Sequence, residues 1–166
     1  MHLTNKEDLA GLPESALGMA KQAADADDLV QETVMKAWKS IGKFEVGTNM
    51  RAWLFTILRN NFYTSRRKLN REVADIDSVF SEKLAVKPDH DGRLQMMDFK
   101  HAFDQLPDEH REALILVGAN GFSYEAAGDM CGVATGTMKS RVNRARNKLS
   151  ELLNLENDEA MELTDT

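Results

Sequence analysis

The sequence holds little that would staple, anchor or catalyse. One cysteine, Cys131, among 166 residues excludes an internal disulfide framework and fits a reducing compartment. Next to a glycine it reads as a small buried residue at a turn, not a redox centre. The four histidines, His2, His90, His101 and His110, show no paired ligand spacing, so no metal is expected. No cluster of His, Cys or paired carboxylates forms a catalytic constellation, so neither a cofactor nor an enzymatic reaction is expected. Apolar runs fall short of a bilayer span. The amino-terminal MHLTNKEDLAGLPES has neither a basic start nor an apolar signal core, so no membrane partner is expected and the cytoplasm is the expected location. Three prolines and two tyrosines, with few strand-like alternations, argue for helices throughout. Gly/Ser linkers, low-complexity tracts and internal repeats are also missing.

What is present is segregated charge. The net charge is -6 and 42% of residues are hydrophobic, enough to fill the core of one ordinary domain or two small ones. Residues 1–35 hold seven acids against two bases, and residues 151–166 hold six acids and no base. The bases lie elsewhere. Residues 51–71 carry six (Arg51, Arg59, Arg66, Arg67, Lys68, Arg71) and residues 135–149 carry five (Lys139, Arg141, Arg144, Arg146, Lys148), both stretches without an acid. Two basic islands on an acidic chain point to two anion-contacting surfaces. In the first, Trp53, Phe55, Phe62 and Tyr63 interleave with the cations, as a surface needs to hold a phosphate backbone and stack unpaired bases. An amphipathic core helix with a solvated basic face would read the same way, and this stretch alone leaves both readings open.

Along the chain, Pro13 and Glu14 look like a first helical turn, in a segment that Gly11, Pro13 and Gly18 interrupt. Asp25 is the expected N-cap of a helix whose buried stripe is Val30, Val34, Ala37, Trp38 and Ile41. Its opposite face, with Asp27, Asp28, Gln31, Glu32 and Met35, is either solvated or a docking surface for a basic partner helix. Gly42 ends that helix, Gly47-Thr48-Asn49 reads as a turn, and Asn49 caps the next. That helix is expected to bury Trp53, Leu54, Ile57, Leu58 and, at its edge, Phe62, leaving Arg51, Phe55, Arg59, Asn60, Tyr63 and Arg67 outside. From Glu72 the apolar residues thin out and Lys87-Pro88-Asp89-His90-Asp91-Gly92 punctuates strongly. A linker over 72–93, with a short helix around Val79 to Leu84, therefore divides an all-α chain into two small helical domains.

The second domain shows a stripe of Phe99, Ala102, Phe103 and Leu106, then a helix from Pro107-Asp108 to Asn120-Gly121. A short helix from Tyr124 to Met130, capped by Ser123, meets a turn at Cys131-Gly132. Thr135 is the expected cap of the last helix, whose apolar residues Met138, Val142, Ala145, Leu149 and Leu152 recur at steps of four and three. Short helix, glycine turn and longer basic helix make a helix-turn-helix, the second helix having the length and charge of one that enters the DNA major groove. Burying its stripe leaves Lys139, Ser140, Asn143, Arg144 and Asn147 outside, donor and acceptor types that read base edges and grip phosphates. Two helices joined at a glycine in a plain bundle would share part of this pattern.

Taken together, these segments resemble the extracytoplasmic-function group of bacterial sigma factors, from about Asp25 to Leu153. DADDLVQETV resembles the family's core-polymerase-binding region 2.2. GTNMRAWLFTILRNN resembles its promoter-melting and minus-10 reading part, and Leu106-Pro107 through GTMKSRVNRAR its minus-35 reading region 4. The wording GTNMRAWLFTILRN is similar to the EcfG-type general-stress subgroup. The resemblance implies a sigma2-like domain over 1–71, the linker, a sigma4-like domain over 94–155 and an acidic tail over 156–166. It implies that Asp28, Gln31 and Glu32 contact core RNA polymerase. Gly47, Thr48 and Asn49 would receive a flipped base, with Arg59, Asn60 and Tyr63 along its path and Arg66, Arg67 and Lys68 on phosphates. Thr137, Lys139, Ser140, Arg141, Asn143 and Arg144 would meet the minus-35 element. The implied partners are core RNA polymerase, promoter DNA and a NepR-type anti-sigma protein. The acidic linker (Asp75, Asp77, Glu82, Asp89, Asp91) would occupy a nucleic-acid path on the polymerase. In this family a longer, more apolar helix usually precedes region 2.2, whereas here residues 1–24 form an interrupted segment. Two other readings are a sigma-like mimic that binds an anti-sigma protein without DNA, and a dimeric helix-turn-helix repressor.

Overall fold

The computed structural model describes residues 6–75 and 92–164, with side chains over 6–73 and 96–154. The described residues contain helices and no strand, in the order α1 (Leu12–Ala20), α2 (Ala23–Lys39), α3 (Met50–Asp75), α4 (Gly92–Asp104), α5 (Asp108–Ala113), α6 (Tyr124–Cys131) and α7 (Thr135–Thr164). They form two compact units, one built on α1 to α3 and the other on α4 to α7. The expected short helix at 79–84 and most of the expected linker lie outside the described residues.

In the first unit the chain enters α1 through Gly11, whose φ of 81° costs glycine nothing, and Pro13 sits in the first turn where its missing N–H is harmless. The helix then runs without a break through Gly18, burying Leu12, Ser15, Ala16 and Met19. The segment expected to be interrupted is thus one short helix packed against α2. In α2, Gln22 precedes the first residue and Asp25 lies within the first turn. Asp25 is therefore not the N-cap, although a carboxylate there still favours the helix dipole.

The expected stripe of α2 is also displaced. Ala26, Leu29, Thr33 and Ala37 are buried, whereas Val34 is at the surface and Trp38 is 66% exposed. The small side chains of this seam let α1 and α3 approach closely. The bulkier Val34, Met35 and Trp38 are left on a flank that the unit itself does not cover.

A 3-10 turn at Ile41–Lys43 ends α2, and Gly47 turns the loop with a φ of 94°. Asn49 then caps α3, its Oδ1 accepting from the Ala52 N–H at 3.2 Å. Around Ala37 and Leu54 gather Leu9, Ile41, Met50, Trp53 and Ile57. Leu54, Phe55, Leu58 and Phe62 are all buried, Phe55 to 1% exposure. Phe55 therefore belongs to the core and not to the outer face where its position among polar neighbours had suggested.

In the second unit, α4 and α5 pack on α7 around Ala102, Leu106, Ala113, Ile115, Leu116, Met138, Val142 and Ala145. Phe103 is half-buried, while Phe99 stacks on it at 5.9 Å and stays largely exposed. Pro107 precedes α5, and Asp108 and Glu109 occupy its first turn. Arg111, 1% exposed, braces this corner: its guanidinium donates to the Leu106 carbonyl and to the Asp108 carboxylate. Beyond Ala113 the helix widens into π turns over Leu114–Ala119 and stops at Gly121, φ 73°.

Ser123 Oγ accepts from the Ala126 N–H at 3.0 Å, capping α6 as expected. The turn to α7 is tight. Val133 N–H donates to the Gly128 carbonyl at 2.9 Å, and a Cβ on Gly128 would lie 2.8 Å from the Val133 oxygen. Gly132 (φ 70°) supplies the left-handed residue, and Cys131 is half-buried beside it. Thr135 is the first residue of α7 and not its cap; Ala134 accepts the first bond, from Met138 N–H at 3.1 Å. Helix α3 passes the expected domain end at 71, and α7 continues beyond 155 to Thr164, because nothing in either stretch breaks a helix.

Candidate functional site

Three surfaces carry the candidate residues. On α3, the cations are laid over aromatic rings at one-turn spacing: Arg51 over Phe55 at 5.6 Å, Arg59 over Tyr63 at 4.9 Å and Arg66 over Phe62 at 5.6 Å. These distances suit cation–π attraction. Arg59 also donates to Asn60 Oδ1 at 3.3 Å, so Arg59, Asn60 and Tyr63 form one group, with Asn60 exposed and the other two half-buried. Arg67 and Lys68 are exposed further along, Arg67 donating to Thr64 Oγ1 at 3.4 Å. At the entrance of the helix Gly47, Thr48 and Asn49 are all exposed, with the Thr48 hydroxyl bonded to the Glu45 carbonyl at 2.6 Å.

On α2, Asp28, Gln31 and Glu32 are exposed as expected. Glu32 pairs with Lys36 at 3.3 Å. Between α2 and α3 runs a groove of about 290 Å³ lined by Ala20, Asp25, Asp28, Leu29, Glu32, Phe62, Ser65, Arg66 and Leu69. Arg66, expected on phosphates, thus lies beside Asp28 and Glu32 of the acidic face. Its apolar lining of Leu29, Phe62 and Leu69 is flanked by three carboxylates and one guanidinium.

A third feature escaped the sequence reading. Asn61, 4% exposed, accepts from Lys36 Nζ at 2.6 Å and donates to Thr33 Oγ1 at 3.3 Å. The signal was there: with Leu54 and Leu58 it falls on the buried side of α3, a polar residue at a seam position.

On α7, Thr137, Lys139, Ser140, Asn143 and Arg144 are exposed on the side away from Met138, Val142 and Ala145. Arg141 differs from them. Its side chain is 19% exposed and turns to Glu109 of α5 at 3.6 Å.

A unit pairing an acidic helix with a basic aromatic one is followed by a helix-turn-helix unit, and both match the sigma-70 class of transcription factors. Residues 14–72 match Sigma-70 region 2 and residues 96–149 match Sigma-70, region 4. The chain is 50% identical over 151 residues to the ECF RNA polymerase sigma factor EcfG of Rhodopseudomonas palustris, covering 91% of this chain and 83% of that protein. Among solved structures it resembles the sigma factor RpoE of Bartonella quintana, determined in complex with the anti-sigma factor NepR. That match has TM-score 0.79 and 52% identity, over 89% of this chain and 92% of that one. It also resembles CnrH, determined in complex with the cytosolic domain of CnrY, with TM-score 0.66 and 28% identity over 90% and 84% of the two chains. The chain belongs to the extracytoplasmic-function RNA polymerase sigma factors. The helical fold, over the described residues, and the family implied by the sequence motifs are both confirmed, and no described helix is long and apolar enough to cross a membrane.

Proposed function

We propose that the two units divide promoter recognition, with residues 1–71 holding polymerase and the minus-10 element, 94–155 reading the minus-35 element, 72–93 linking them and 156–166 an acidic tail. In this reading Asp28, Gln31 and Glu32 meet the polymerase. Gly47, Thr48, Asn49, Arg59, Asn60 and Tyr63 take up an unstacked non-template base, which costs a few kcal/mol to extrude and needs stacking and hydrogen bonds in return. Arg66, Arg67 and Lys68 lie along phosphates, and Lys139, Ser140, Asn143 and Arg144 read duplex with Thr137 and Arg141 at the edge. The observation that carries the division is the different state of the two basic helices: rings shielded by arginines on α3, and an open polar face on α7.

The protein acts in the cytoplasm without catalysis of its own. The RpoE–NepR complex supports control by a NepR-type anti-sigma protein, and the similarity to EcfG supports a general-stress regulon. Transcription in vitro with purified core polymerase on a two-element promoter tests the reading. Initiation confined to promoters bearing both elements is the expected outcome. Duplex binding without initiation would make the chain a repressor instead.

A further inference from the structure

Across the otherwise apolar seam between α2 and α3 runs a line of polar groups. Glu32, on the outer face of α2, pairs with Lys36 at 3.3 Å, and Lys36 Nζ donates to Asn61 Oδ1 at 2.6 Å. Asn61 Nδ2 donates to Thr33 Oγ1 at 3.3 Å, whose hydroxyl donates to the Leu29 carbonyl at 2.7 Å. Asn61 and Thr33 are buried, whereas Glu32 and Lys36 are half exposed. The line therefore begins at a residue assigned to polymerase and reaches α3 at Asn61, next in sequence to Asn60 and two positions from Arg59 and Tyr63, before returning to α2 at the Leu29 carbonyl.

Stability does not account for an amide here. A buried polar group must be paired to avoid a penalty, and apolar groups of similar shape can replace a paired set at little cost. An amide with a donor and an acceptor both engaged supplies direction: it sets the rotation of α3 about its axis against α2, which apolar contacts leave looser. That rotation decides where the Arg59, Asn60 and Tyr63 side chains point. A basic group arriving at Glu32 would compete with Lys36 for the carboxylate, and Asn61 would then be the remaining partner of the ammonium.

We infer that Asn61 is a positioning residue which, through Lys36 and Glu32, couples occupation of the acidic face of α2 to the aim of the α3 side chains that receive opened DNA. The inference rests on the assignment of those two faces made above. Its test uses the full chain with core polymerase and three readouts: thermal unfolding, polymerase affinity and the rate of promoter opening by the assembled enzyme. Asn61→Leu and Lys36→Met should each slow opening about tenfold while polymerase affinity stays within about twofold, and the double variant should open no more slowly than either single. Asn61→Asp, which keeps an acceptor for Lys36 but loses the N–H that donates to Thr33, should open faster than Asn61→Leu and more slowly than wild type. Should Asn61→Leu not fold, Lys36→Met and Asn61→Asp carry the comparison. Unchanged opening, additive losses, or opening that falls in step with affinity and melting temperature would overturn the inference. If the wild-type chain itself fails to initiate, the assignment of function is at fault; wild-type initiation with indifferent variants removes only the role of Asn61.

Discussion

The two basic helices contain similar residues and hold them differently. Along α3 three arginines lie on aromatic rings that are buried or half-buried. Along α7 the apolar seam of Met138, Val142 and Ala145 is sealed, and Lys139, Ser140, Asn143 and Arg144 stand in solvent. The difference follows from the targets proposed for them. Duplex edges are rigid and present in advance, so a reader can be preformed, its polar tips hydrated until contact. An unstacked base needs a ring face, and of these three rings Tyr63 alone is not buried; the Arg59 guanidinium stacked on it at 4.9 Å covers that face until a base displaces it. By this argument α7 docks as it is, whereas α3 must rearrange.

The largest expected effect tests how firmly α3 is seated. Phe55→Ala removes a ring that is 1% exposed and should cost about 3–5 kcal/mol in the first unit, measured by denaturant unfolding. Binding of a minus-35 duplex at low temperature should persist. A loss below about 1 kcal/mol would return Phe55 to the outer face, far from the cost of emptying a core site. The corresponding change in the second unit is Gly128→Ala, whose Cβ would approach the Val133 carbonyl oxygen to 2.8 Å. Because that neighbour is backbone, the turn between α6 and α7 must shift, at about 1–3 kcal/mol. Duplex affinity should fall with stability, since the turn aims α7.

Of similar size, but confined to single-stranded DNA, is the effect of Tyr63→Ala. Stacking on an aromatic side chain contributes about 1–3 kcal/mol per base, so affinity for a minus-10 single strand should drop by that much, while the loss of a half-buried ring that meets Phe62 at 5.2 Å lowers the unfolding midpoint less than Phe55→Ala does. Equal weakening of single-strand and minus-35 duplex binding would mean that Tyr63 supports the fold and does not serve as a platform.

How much of this was legible in the sequence depended on what each residue competes with. The caps at Asn49 and Ser123 and the seam of α7 were readable, because local hydrogen bonds and a clean period decide them. The seam of α2 was not. Val34 and Trp38 outrank Ala26 and Thr33 in hydrophobicity, yet the smaller pair is buried and Trp38 is 66% exposed. An exposed apolar residue looks in sequence like a core one. Phe55 failed in the opposite sense, its polar neighbours hiding a position one residue from Leu54 that is 1% exposed. The groove beside Arg66 joins residues from three helices, Ala20, Asp28 and Leu69 among them, and only the packed unit brings them together.

The smallest expected effect bears most directly on the comparison. Arg141 stands among the exposed readers of α7 in sequence, but its guanidinium lies 3.6 Å from Glu109 with the side chain 19% exposed. Glu109 is 61% exposed, and ion pairs so open to water are worth about 0–1 kcal/mol. Arg141→Ala should therefore lower stability by less than about 1 kcal/mol and, as a residue at the edge of the reading face, reduce the salt dependence of duplex binding by well under about one unit. Arg144→Ala, on the open face, should reduce that slope by about one unit. If the two substitutions reduce the slope equally, Arg141 leaves Glu109 for a phosphate on binding. Helix α7 would then rearrange on its target as α3 is argued to do, and the contrast would become one of degree.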